Sequence, residues 1–110
     1  MDRSPTDLLH GTLDVLILKT LSWGPRHGYD IARWIEDRTR GELIVEDAAL
    51  YKALHRLERA RTISAEWGMS ESRRRAKFYE LTARGRQQLR AEMQVWRRYA
   101  TAVSAVLEAA

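Results

Sequence analysis

The chain has no cysteine among its 110 residues. That excludes disulfides and a thiol nucleophile and removes the best zinc ligands. It also agrees with a reducing compartment. Histidine is scarce. His10, His27 and His55 stand far apart with no carboxylates at ligand spacing, so a metal site is not expected. Two prolines and six glycines form no linker-like tract, and there is no internal repeat or low-complexity segment. The longest apolar run, Val15–Leu18, falls far short of the ~20 residues of a membrane span. The acidic, polar N-terminus lacks the basic start of a signal peptide. The expectation is a cytoplasmic protein with no membrane partner. Equally absent are a glycine-rich phosphate loop, a metal set and a Ser/His/Asp arrangement supported by spacing. No catalytic residue and no cofactor are therefore assigned, and the enzyme class is set aside.

What is present is charge, unevenly placed. The net charge is +4, but residues 1–47 sum to −3 and residues 48–110 to +7. Such asymmetry suggests that one face meets a polyanion. Hydrophobic content of 45% and charged content of 31% are those of a folded globular domain rather than a disordered chain. At this length the core is modest, so a partner chain adds useful burial.

Periodicity then divides the chain. Ser4-Pro5-Thr6-Asp7 reads as a helix start, with Ser4 as cap and Asp7 in the first turn. Leu9, Leu13, Leu16, Ile17 and Leu21 follow at spacings of three and four, the buried stripe of an amphipathic helix. Gly11 weakens its middle, which moves the expected start toward Thr12, and Trp23-Gly24-Pro25 ends it. A second helix is expected from His27 to Thr39, stopped by Gly41, and a short strand at Leu43–Val45. A third helix runs from Asp47, its expected cap, to Ala60, with Leu50, Ala53, Leu54 and Leu57 inward. Its outward side offers Tyr51, Lys52, His55, Arg56 and Arg59. Two strands follow, Thr62–Trp67 and Lys77–Leu81, around a polar loop of about nine residues that holds Arg73, Arg74 and Arg75, with Lys77 just behind. Thr82 caps a last helix in which Leu89, Met93, Trp96, Ala100, Val103 and Leu107 repeat at an average of 3.5 residues, the period of a coiled-coil seam. A helix this long at the end of a small domain calls for a second copy of the chain as its partner.

Three helices, a basic hairpin and a fourth helix make an α+β fold, mainly α with a small β-hairpin, and outline a winged helix-turn-helix. The expected division is residues 1–81 as the DNA-binding unit and 82–110 as a dimerisation helix within the same compact body. Arginine and lysine on the hairpin supply affinity through phosphate neutralisation. Donors and acceptors on an exposed helix face supply base choice.

The motifs GTLDVLILKTL (11–21), GPRHGYDIA (24–32), LYKALHRLE (50–58) and EWGMSESRRRAKFYELTARGRQQL (66–89), with Trp96 in the last helix, resemble the PadR family of bacterial transcriptional regulators in its short form. The segment RRAKFYELT resembles the subgroup often called acidobacterial-type. The resemblance covers nearly the whole chain. It implies a homodimeric repressor on an inverted-repeat operator, with the helix of Tyr51 and His55 as recognition helix, the hairpin as wing and the last helix as dimer interface. Some relatives respond to small aromatic or hydrophobic effectors, which makes Trp96 a candidate effector contact beside its expected packing role. Tyr51 is expected to reach a phosphate through its hydroxyl. His55 is left open between contact and packing, and His27 and Tyr29 are expected to serve packing and helix-start hydrogen bonding. The family usually has Gly-Ser/Thr before the Leu-Tyr pair and Pro after it; here these positions are Ala48, Ala49 and Lys52. That removes a cap and a phosphate contact and adds a cation. The other reading is a winged helix that docks an acidic protein without specific DNA binding.

Overall fold

The computed structural model describes residues 5–110, apart from the side chains of Asp7, Leu8 and His10. The expected cap Ser4 and the Asp7 side chain lie outside what is described. A 3-10 helix spans Pro5–Gly11. It is followed by α1 (Leu13–Leu21), β1 (Arg26–His27), α2 (Gly28–Arg38), α3 (Asp47–Arg59), β2 (Ile63–Met69), β3 (Arg75–Leu81) and α4 (Ala83–Leu107). The strands form one antiparallel sheet in the order β1-β3-β2. The fold is therefore the expected α+β winged arrangement, four helices with a small sheet.

The apolar stripes of α1, α2 and α3 meet in one core. Ile17, Leu18, Leu21, Ile31, Leu50 and Leu54 are almost wholly enclosed, each contributing roughly 1.5–3 kcal/mol of burial. Ile63, Tyr79 and Leu81 close the core from the sheet and Leu89 from α4. Thr20 is buried within it, and its hydroxyl donates to the Leu16 carbonyl at 2.8 Å, which satisfies the polar atom locally.

Helix ends explain the connections. His27 caps α2 by accepting the Asp30 N–H at Nδ1, 3.3 Å. At the other end Gly41 N–H returns to the Glu36 carbonyl at 2.8 Å and Arg40 N–H to Asp37 at 3.1 Å, a Schellman closure. The left-handed residue that makes the turn is Arg40, φ 52°, with Gly41 left-handed after it, so the expected stop at Gly41 falls one residue late. Thr82 caps α4 by accepting Gly85 N–H at 3.0 Å, as the sequence suggested.

Three expectations need correction. Leu43–Val45 is not a strand. Ile44 N–H donates to Thr6 Oγ1 at 2.9 Å and Val45 N–H to a Glu36 carboxylate oxygen at 3.2 Å, so the backbone of this segment is satisfied by side chains instead of a ladder. The small third strand is Arg26–His27, paired with Tyr79 and Phe78. The cap position of α3 is Glu46 rather than Asp47, and no side chain caps that helix. The hairpin runs further than expected, to Met69 and from Arg75, leaving residues 70–74 as the loop.

α4 has 25 residues, about 37 Å at 1.5 Å per residue. Its first turns pack on the domain: Gly85 and Leu89 are buried and Met93 lies against the core. Further on, Val95, Trp96, Tyr99, Val106 and Leu107 are exposed.

Candidate nucleic-acid interface

The outward face of α3 carries Tyr51, Lys52, His55, Arg56 and Arg59, all exposed. With Ala48 they line one shallow groove of about 560 Å³. The helical period places them there because Leu50, Ala53, Leu54 and Leu57 take the opposite face into the core. The groove thus brings together every residue expected on the recognition helix.

They are not equivalent. Arg56 donates from Nη2 to Asp14 Oδ1 at 2.6 Å and from Nε to Oδ2 at 3.4 Å. This two-point bond to the α1 carboxylate holds the guanidinium pKa above its ordinary value, first through the hydrogen bond and then through the charge. Arg56 is therefore committed to its own chain. Tyr51 lies across the first residue of α2: a Cβ at Gly28 would stand 2.8 Å from its hydroxyl oxygen. Glycine at position 28 lets the ring pass, and the ring is still 49% exposed, so Tyr51 packs and faces outward at once. Lys52, His55 and Arg59 point to solvent.

The wing closes tightly. Ser70 N–H donates to the Arg74 carbonyl at 2.8 Å and Arg73 N–H to the Ser70 carbonyl at 2.9 Å, while Arg74 N–H reaches Ser70 Oγ at 3.2 Å. Arg73 holds the left-handed position, φ 61°, where glycine is the usual choice. An arginine there costs about 1 kcal/mol. Lys77 sits apart from this tip, with Nζ donating to a Glu58 carboxylate oxygen of α3 at 3.4 Å. Among the described residues no salt bridge engages Arg73, Arg74 or Arg75. Of the four cations expected to act together, three hold no salt bridge among the described residues and one ties the wing to α3.

Two features escaped the sequence reading. Trp67 and Met69 are exposed on the wing, 61% and 66%, and the Arg75 guanidinium lies 4.9 Å from the Trp67 ring centre. On α2, Arg33 donates to the Tyr29 hydroxyl at 3.1 Å and lies 5.6 Å from its ring centre. That hydrogen bond is the main cause of a raised Arg33 pKa. The i, i+4 spacing of Tyr29 and Arg33 was the available signal. Among the described residues no group of three or more His, Cys, Asp or Glu could hold a metal ion, and no helix is long and apolar enough to cross a membrane.

The model of the transcriptional regulator PadR-like family matches residues 17–91. An uncharacterized protein from Lysinibacillus sphaericus is 31% identical over 91 residues, which cover 83% of this chain and 84% of that protein. Among solved structures, a transcriptional regulator from Clostridium thermocellum superposes with a TM-score of 0.81 at 26% identity, covering 89% of this chain and 95% of the other. A PadR family transcriptional regulator from Eggerthella lenta gives 0.80 at 29%, covering 94% and 88%. One from Clostridium difficile gives 0.72 at 30%, covering 90% and 100%.

Proposed function

The chain belongs to the transcriptional regulator PadR-like family, whose members are regulators and not enzymes, and from that premise we propose that it is a homodimeric, sequence-specific DNA-binding repressor. In this reading residues 1–81 bind the operator and 82–110 make the dimer. The observation that carries it is the division of cations just described. Among the described residues Arg73, Arg74 and Arg75 hold no carboxylate partner at the wing, and Lys52 and Arg59 flank His55 on the outward groove of α3. Free cations on two adjacent elements suit a phosphate backbone, and the groove residues suit base edges. In this reading Tyr51, whose hydroxyl lies beside Gly28 in the first turn of α2, donates it to a phosphate.

The exposed apolar side chains of α4 support dimerisation. Trp96, Val103 and Leu107 continue the stripe begun by Leu89 and Met93 after the domain has ended. Leu89, at 6% exposure, is already spent on its own core, so the interface weight falls on Met93 and the residues beyond it, Ala100 included. Trp96 and Tyr99 stand 6.4 Å apart with their rings inclined at 41°. Their exposed faces favour a small planar aromatic effector between subunits, with Trp96 as the contact.

Titration of a labelled duplex at rising salt tests the DNA reading against docking of an acidic protein. We expect saturable duplex binding that weakens steeply with salt. A protein that ignores duplex DNA at 50 mM salt is not a DNA-binding regulator.

A further inference from the structure

Resting on the DNA-binding reading, we infer that the wing meets DNA with an apolar wedge, Met69, and that this wedge bends the duplex. The register pairs Met69 with Arg75, Trp67 with Lys77, Ala65 with Tyr79 and Ile63 with Leu81. Side chains alternate along a strand, so these eight residues share one face of the hairpin. Its inner end is core: Ile63, Tyr79 and Leu81 are buried. Its middle is joined to α3 by the Lys77–Glu58 pair. Its outer end overhangs the domain, and there Trp67 and Met69 are exposed. The opposite face holds Glu66 and Glu80, both exposed, and Phe78, whose ring lies over Gly68.

The wing is therefore polarised. One face is cationic and apolar and turns the way of α3; the other carries Glu66 and Glu80, and Glu71 lies in the tip loop. A polyanion complements only the first. A protein pocket alone leaves Arg73, Arg74 and Arg75 without a use, whereas a minor groove accepts both kinds of side chain, since arginine suits its negative potential and methionine is among the residues that wedge between base steps. Trp67 makes the geometry definite. Its ring holds the Arg75 guanidinium at 4.9 Å, directly across the ladder from Met69, so charge and wedge arrive together. The short loop of residues 70–74 is closed by its own hydrogen bonds.

The test uses a mixed-sequence duplex of about 30 base pairs carrying donor and acceptor dyes at its ends, a length over which a bend is readable. Anisotropy in the same titration reports binding separately from bending. Wild-type protein is expected to raise energy transfer on saturation. Met69→Ala and Met69→Gln are expected to abolish that rise and to weaken binding roughly tenfold, the loss of one buried apolar side chain, with the salt slope unchanged because no phosphate contact is removed. Met69 is exposed, so both variants fold, as a thermal melt will show. Saturable binding without a change in energy transfer, or a Met69→Ala protein that bends the duplex as wild type does, overturns the wedge while leaving the DNA-binding reading intact. A Met69→Ala protein that bends normally but sediments differently makes this face a contact between copies, which also overturns it. Absence of duplex binding by the wild type removes both readings.

Discussion

Free and committed cations should differ in what they contribute to DNA affinity, and the difference can be measured. Each phosphate neutralised steepens the fall of log K against log salt by about 0.9. Arg73, Arg74 and Arg75 have no carboxylate to leave. Replacing all three with alanine should flatten the slope by roughly 2.5–3 for each wing that touches DNA. Between 50 and 200 mM salt, wild type should then lose about 40-fold more affinity than the variant per wing. Lys77 and Arg56 begin in ion pairs with Glu58 and Asp14. Lys77→Ala or Arg56→Ala should each change the slope by less than half of one contact. Asp14→Ala releases Arg56 on the face of Lys52 and His55, and should steepen the slope by up to about 0.9. Anisotropy titrations at four salt concentrations measure all of this. A triple variant whose slope stays within about 0.5 of wild type, or slopes that follow formal charge regardless of pairing, would show that ion pairing does not set which cations reach phosphate.

Three further predictions concern the frame that holds this site. Gly85→Ala places a Cβ inside the contact radius of the Thr62 carbonyl oxygen and 2.8 Å from a Leu81 methyl carbon. It forces the α4 cap apart and should cost about 2–4 kcal/mol in urea unfolding, whereas Gly11→Ala, with nothing within 4 Å, should show no such loss. Glu46→Ser supplies the cap that α3 lacks and should raise stability by about 0.5–1 kcal/mol; an unchanged or lower urea midpoint would count against it. Burial, then Glu58 and then Tyr51, raise the pKa of Tyr79 above its ordinary value. The folded state therefore holds the phenol proton more tightly than the unfolded chain. The associated stability is full below the unfolded value near 10 and is lost as pH rises through the folded one. Tyr79→Phe should flatten the alkaline limb of the stability curve, and an equally steep limb in the variant would reject this.

Much of the fold was legible because the information is local. Spacings of three and four placed α1 to α4, Thr82 announced its helix, and LYKALHRLE assigned its inward and outward residues from period alone. What failed depended on partners far along the chain. Leu43–Val45 has strand-forming residues, but Thr6 and Glu36 capture its amide groups. Arg56 reads as one more cation on a basic face, but Asp14, 42 residues away, takes two of its donors. The wing was read too short because Gly68 and Met69 are weak strand formers. They are carried into the ladder by register, Gly68 opposite Ala76 and Met69 opposite Arg75, with the Phe78 ring filling the space that glycine leaves. Trp67 alternated correctly with Ile63 and Ala65, but alternation does not say where the core ends, and Trp67 lies beyond it.

The proposed function puts a symmetric pair of winged helices on one duplex. Selection of bound duplexes from a random pool by the protein decides this, because it reports binding, symmetry and spacing together. A dimer of this kind enriches an inverted repeat whose half-sites lie about one helical turn apart, ~34–36 Å. A pool that stays unenriched, or that converges on a single asymmetric half-site, would contradict it.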